Sequence, residues 1–229
     1  IRDNYQRLLS AFRSKRKKFR LFYAVKANNN LNILRILQKE GAGADASGPA
    51  EISLALKAGF SASNILYTGN YPSDSELEFA YRKGVIMNLD DASLLPRLLQ
   101  FGTPSFLSFR VNPGVGSGRF KGLIFAGPDA KFGVPEKDVV AVYTAAKKAG
   151  VKRFGIHMMT GSAVLDPGYF SSIMEKMLDI IAQVVTEVGI TFEFVDIGGS
   201  LGIPYGEKDK ALPIDKVASL VTSAIAARE

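Results

Sequence analysis

Six glycines, at positions 41, 59, 84, 102, 150 and 189, each close an amphipathic helical run, and a short apolar segment follows each one. Glycine tolerates the left-handed backbone that ends a helix, so the pattern marks where helices stop and strands begin. Candidate strands lie at 21–26, 42–45, 64–68, 85–88, 105–111, 153–158 and 192–197. Candidate helices lie at 31–40, 49–58, 74–83, 91–100, 136–149, 169–188 and 214–227, after a first helix striped by Tyr5, Leu8, Leu9 and Phe12. Ser73-Asp74, Asp90-Asp91, Pro135-Glu136 and Pro213 supply start signals. Strand, helix, glycine, strand is the signature of right-handed parallel βαβ units. Seven such strands predict a parallel (β/α)8 TIM-type barrel that lacks its last strand, with residues 1–229 as one incomplete barrel domain. A doubly wound open sheet is the alternative that counting leaves open. No Gly-x-Gly-x-x-Gly follows the first strand, which argues against a dinucleotide-binding sheet.

Composition narrows the function classes. The chain has no cysteine and one histidine, His157. Disulfides, thiol-metal sites and multi-histidine centres are therefore excluded, no metal is expected, and a reducing, cytoplasmic compartment fits. Lys plus Arg number 29 against 22 Asp plus Glu, a net charge of +7, and much of the excess sits in Arg13-Ser-Lys-Arg-Lys-Lys-Phe-Arg20. That run ends a helix, where positive charge is favourable in itself. No aromatic platform accompanies it, so nucleic acid is not expected as a partner. Nothing reaches the length of a membrane span and no charged-then-apolar leader opens the chain. The start at Ile1 and the end at Arg228-Glu229 within a helical pattern read as a piece of something longer.

In a parallel barrel the chemistry sits where strands hand over to helices. The first strand ends in Lys26, which alternation places on one face with Phe22 and Ala24. Apolar neighbours would lower its pKa and make it an amine nucleophile; a surface lysine is the competing reading. Later strand ends offer Asp45 with Glu51 in the next helix's first turn, then Tyr67-Thr-Gly-Asn70, Asn88-Leu-Asp90, and Arg110-Val-Asn-Pro-Gly. The sixth offers His157, Met159, Gly161 and Ser162, and the seventh Asp196-Ile-Gly198-Gly199-Ser200-Leu-Gly202. Small residues after a strand let backbone N–H groups approach an anion, so Gly198, Gly199 and Ser200 suit a phosphate, with the Ser162 hydroxyl beside them. A plain tight turn is the competing reading. Residues 112–135, with six glycines and three prolines, are expected to form a lid or binding loop. Together these strand ends favour a lysine-linked, phosphate-bearing cofactor.

Six segments, in this order, are similar to the fold-type III pyridoxal-phosphate decarboxylases: Tyr23-Ala-Val-Lys26-Ala-Asn, Asp45-Ala-Ser-Gly-Pro-Ala-Glu51, Arg110-Val-Asn-Pro-Gly, Lys131-Phe-Gly, Gly155-Ile-His157-Met-Met-Thr-Gly-Ser162 and Asp196-Ile-Gly-Gly-Ser-Leu-Gly. Within that family the chain most resembles the diaminopimelate decarboxylases. The resemblance implies a barrel domain in which Lys26 forms the Schiff base with pyridoxal phosphate. It implies phosphate contacts from Ser162, Gly198 and Gly199, and a cofactor and lysine lined by Asp45, Glu51 and Arg110. It also implies decarboxylation of a small-molecule amino acid, meso-diaminopimelate to lysine, by a homodimer.

The chain departs from that family at several points. The family's histidine that stacks on the cofactor ring is replaced by Met159, and His157 lies two residues earlier. The third glycine of the phosphate loop is Ser200. The family's Glu-x-Gly-Arg segment and its C-terminal β-domain do not occur within these 229 residues, so an incomplete enzyme is expected. A non-catalytic, partner-binding relative and a single-barrel pyridoxal-phosphate carrier protein are the alternatives.

Overall fold

The computed structural model describes residues 1–118, 126–127 and 130–228. Among them the strands are β1 (Phe22–Ala24), β2 (Gly43–Ala46), β3 (Ile65–Tyr67), β4 (Ile86–Leu89), β5 (Phe106–Asn112), β6 (Ser117–Gly118), β7 (Val134–Pro135), β8 (Arg153–Met158), β9 (Gly161–Ser162) and β10 (Phe192–Asp196). The helices are α1 (Arg2–Arg13), α2 (Leu31–Lys39), α3 (Pro49–Ala58), α4 (Asp74–Lys83), α5 (Leu94–Leu99), α6 (Val139–Lys148), α7 (Pro167–Val188) and α8 (Ile214–Ala226). Local chemistry sets these bounds. Ser73 and Glu76 form a reciprocal capping box that starts α4, and Gly84, at φ 68°, stops it. Asp166 accepts from the Gly168 N–H to open α7, and Gly189, at φ 65°, closes it.

Seven strands pair in the order β1-β2-β3-β4-β5-β8-β10, with β7 beside β5, and every pairing is parallel. β6 and β9 pair separately. Two observations decide between a rolled and an open sheet. The helices form one continuous row around the sheet: α6 packs on α7, α7 on α8, α8 back on α1, α1 on α2, α2 on α3, α3 on α4 and α4 on α5. A doubly wound sheet would divide them between two faces. Five pairings also separate β2 from β10, about 24 Å in a flat sheet at about 4.8 Å per strand. Yet the Asp196 carboxylate acts on Asp45. The sheet is therefore rolled into a TIM-like barrel that lacks its full closure between β10 and β1. Inside it, Phe194 fills the space above Gly155, where any side chain would meet the ring.

Several expectations are corrected. β1 stops at Ala24, and Lys26 lies in a 3-10 turn spanning Val25–Ala27, off the strand face predicted for it. Lys26 is exposed rather than enclosed by its apolar neighbours. The helix predicted over 91–100 shrinks to Leu94–Leu99, because Asp91 Oδ1 accepts from the Ser93 N–H in a turn that competes with helix. The helix expected from 136 begins as a 3-10 turn, Glu136–Asp138, and turns α at Val139. The loop expected over 112–135 falls partly outside the described residues. Within them, Asn112 pins Gly127 through both ends of its amide, at 3.0 Å each. No helix among the described residues is long and apolar enough to cross a membrane.

Candidate active site

Parallel register brings the polar strand ends into one mouth. Arg110 of β5, His157 of β8 and Asp196 of β10 are successive register partners, so their side chains share the interior face. Asp45 of β2 is the register partner of Ala24, two residues before Lys26. The charges report that these groups converge. Asp45 is pushed up to about 7, first by burial and then by the Asp196 carboxylate, while Lys26 and Arg110 pull it down. His157 is pushed down to about 4, again first by burial, with Asp196 opposing and Arg110 and Lys26 adding to the shift. Lys26, although exposed, thus faces Asp45 and His157 across the mouth.

Arg110 is almost wholly buried. It pairs with Asp90 at 3.0 Å, donates to the Met159 carbonyl at 3.5 Å and lies 4.9 Å above the Phe132 ring. Burial raises Asp90, and the guanidinium opposes that shift along with hydrogen bonds from the Asn70 side chain and the Gly133 N–H. The Tyr71 hydroxyl donates to the Lys131 carbonyl at 2.6 Å, so the Lys131-Phe-Gly segment is fastened over Arg110 from the β3–α4 loop. Tyr71 itself takes a left-handed backbone, φ 54°. Strain at a non-glycine residue of this kind tends to gather at binding sites.

Two loops meet beneath Met159. Val164 donates to the Ser200 carbonyl and Gly202 to the Val164 carbonyl, each at 2.8 Å, and the Ser200 hydroxyl donates to the Gly161 carbonyl at 2.6 Å. Three residues here are left-handed: Ala163 at φ 51°, Gly198 at 69° and Ser200 at 67°. A Cβ on Gly198 would run into the Met158 carbonyl and come within 3.0 Å of the Met159 sulfur. A Cβ on Gly199 would meet nothing within 4 Å. Left-handed backbone at Gly198 and Ser200 thus brackets a glycine open to solvent, a concavity that suits an anion. Ser162, half-buried on β9, follows Gly161, whose carbonyl holds the Ser200 hydroxyl.

Of the residues expected to bind a cofactor, the structure brings Lys26, Asp45, Arg110 and His157 together by charge, and Met159, Gly198 and Ser200 by contact, with Gly199 between the last two. Glu51 is turned inward on its own loop: its carboxylate accepts from the Ser47 N–H at 2.7 Å, and it reaches the site only by raising Asp45. Four residues that the strand ends offered without an assigned cofactor role also belong here: Thr68, Asn88, Asp90 and Asp196. The signal for Asn88 was a polar residue inside an apolar segment, Ile86-Met-Asn-Leu89, that is buried on both faces. For Asp196 it was the strand register beside His157.

A family model described as "Pyridoxal-dependent decarboxylase, pyridoxal binding domain" matches residues 1–228. The chain belongs to the pyridoxal-dependent decarboxylases. That domain's cofactor is pyridoxal phosphate, and an open glycine cradle beside a lysine at the barrel mouth fits it. Among curated relatives of this family, a diaminopimelate decarboxylase of Methanothermobacter thermautotrophicus is 46% identical over 223 residues, 97% of this chain and 52% of that protein. Protein TabA of Pseudomonas amygdali pv. tabaci is 36% identical over 90% of this chain and 49% of its own length. In structure, the diaminopimelate decarboxylase of Helicobacter pylori complexed with L-lysine superposes with a TM-score of 0.89 at 27% identity, over 98% of this chain and 59% of that one. The chain spans about half the length of the curated relatives it matches.

Proposed function

We propose that the chain is the cofactor-holding barrel of an amino-acid decarboxylase that acts on meso-diaminopimelate and releases lysine. The observation that carries this reading is the convergence of Lys26, Asp45, Arg110, His157 and Asp196 on one mouth beside the Gly198–Ser200 cradle. The relatives named diaminopimelate decarboxylase, and the lysine held by a structural neighbour, support the substrate. Bound pyridoxal phosphate supplies an electron sink for the charge left when a carboxyl group departs.

The chain's own residues do the rest. Lys26 would hold the cofactor through its exposed amine. The loop of Gly198, whose own N–H is donated to Asp196 Oδ1 at 2.8 Å, would seat its phosphate through Gly199 and Ser200, with Ser162 beside them. Asp45, at about 7, can hold or release a proton at neutral pH. Arg110, locked by Asp90, sets a fixed positive charge at the mouth. Met159 and the Phe132 ring, with Tyr71 fastening the Lys131–Gly133 segment, cover that charge against water. Exposed Val195 on β10, with Ile203 and Tyr205 after it, supports association of two copies as part of the proposal.

The test is to incubate the chain with pyridoxal phosphate, reduce with borohydride and map the modified peptide by mass spectrometry. Label on Lys26, lost in Lys26→Ala, is expected. Label spread evenly over surface lysines, or unchanged in Lys26→Ala, overturns the assignment.

A further inference from the structure

His157 is held by a polar network inside the barrel. Asn88 Nδ2 lies 2.9 Å from His157 Nδ1 and 2.9 Å from Thr68 Oγ1. All three residues are buried: Asn88 is 1% exposed, and Thr68 and His157 8% each. An amide nitrogen carries two hydrogens and accepts none, and here both hydrogens have an acceptor. Nδ1 of His157 is then an acceptor, and the proton of the neutral ring sits on Nε2. Among the described residues Nε2 has no hydrogen-bond partner, and the buried atoms without partners are Asn88 Oδ1 and Ser108 Oγ. With Nδ1 turned to Asn88 on β4, Nε2 on the opposite edge of the ring is directed away from that strand, toward the side where Asp196, Arg110 and Lys26 act on the ring.

We propose that Asn88 is a positioning residue that holds His157 as its neutral Nε2–H tautomer, so the ring presents a hydrogen-bond donor to whatever occupies the mouth. The proposal rests on the reading of the mouth as the cofactor and substrate site. The charged groups facing His157 are Asp196 from β10, Arg110 from β5 and Lys26 from the turn after β1. Asp196 favours the charged ring, while Arg110, Lys26 and burial disfavour it. With Nδ1 engaged and Nε2 protonated, His157 has no free lone pair for a substrate proton. It binds and orients, through a donated hydrogen bond to an electron-rich oxygen or nitrogen.

His157 is the one histidine of the chain, so long-range proton–nitrogen correlation spectra of the intact, 15N-labelled chain show a single ring. The expected result is unprotonated Nδ1 and protonated Nε2 from about pH 5 to about pH 8, with no titration between them. Asn88→Asp puts a carboxylate beside Nδ1, and the proton should move to Nδ1 while the ring becomes titratable near neutrality. Asn88→Leu should give mixed tautomers. Thr68→Val, a milder change that removes the acceptor orienting the amide, should do the same if Asn88→Leu does not fold. Protonated Nδ1 in the parent chain, or variants that leave the tautomer unchanged, overturns the proposal. Pyridoxal phosphate added to the parent sample tests the mouth separately: an unmoved Nε2 resonance overturns that reading and leaves the tautomer result standing.

Discussion

Asp90 and Arg110 form an ion pair at 3.0 Å with side chains only 2% and 8% exposed. Neither partner has water to fall back on, so the pair matters most when it is broken. Removing one partner of a buried pair costs about 3–5 kcal/mol, because the other charge is left uncompensated. Asp90→Leu should lower stability by about that amount, read as a fall in the urea midpoint at constant slope. Asp90→Asn, which keeps an acceptor for the guanidinium, should cost less. Equal, small losses in both variants would show that Arg110 finds another partner.

The two glycines of the cradle make opposite predictions. Gly198 combines φ 69° with a Met158 carbonyl where its Cβ would go, so Gly198→Ala should destabilise the chain and disturb the loop. Gly199 has neither problem. Gly199→Ala should leave stability within about 0.5 kcal/mol of the parent, the range of substitutions that disturb nothing, while its methyl intrudes on the anion. Titration with pyridoxal phosphate should show weaker binding for both variants, with thermal melting altered only for Gly198→Ala. Unchanged affinity in Gly199→Ala would place the phosphate elsewhere.

Much of this architecture was legible in the residues, for physical reasons that differ from element to element. Glycine stops and apolar strands are local signals, and strands such as 153–158 and helices such as 74–83 and 49–58 fall at their predicted bounds. Lys26 was placed at the right strand end but in the wrong environment. Alternation assumes the strand continues, and whether it breaks into a 3-10 turn depends on tertiary packing. The rolled form of the sheet was expected from the seven strand–helix units, but strand count alone left an open sheet standing, because the decision rests on α1 meeting α8 across the whole chain. The Asn88–His157 contact spans 69 residues, and no spacing rule reaches it. Ser200 shows the converse: the sequence marks only a missing glycine, and the structure supplies the left-handed backbone that makes it a strained position.

Met159 stands where the resembled family has a ring that stacks, and its sulfur lies 3.9 Å from the Ser200 hydroxyl, over the glycine loop. A thioether on an aromatic face contributes about 0.3–1.5 kcal/mol. Met159→Ala should therefore weaken pyridoxal phosphate binding roughly two- to tenfold. Met159→His should bind at least as tightly as the parent and shift the visible absorption of the bound cofactor. No change in either variant would mean that Met159 packs on the loop without touching the ligand.

Asp45 and His157 make opposed contributions to stability against pH. The Asp45 carboxyl rises from an ordinary 3.8 to about 7 in the folded chain, so between those values the folded state holds the extra proton. Stability from Asp45 is present below the lower value and falls as pH rises toward the upper one. His157 drops from 6.5 to about 4, so over that interval the unfolded state holds the extra proton, and stability rises with pH. The windows overlap from about 4 to about 6.5, where each group has a limiting slope of about 1.4 kcal/mol per pH unit and the signs cancel. Removing one group should unmask the other. Asp45→Asn should become more stable from pH 4.5 toward 6.5, and His157→Gln less stable over the same range, by urea unfolding at each of about five pH values. Parallel profiles in the two variants would show that one of the shifts has the wrong sign.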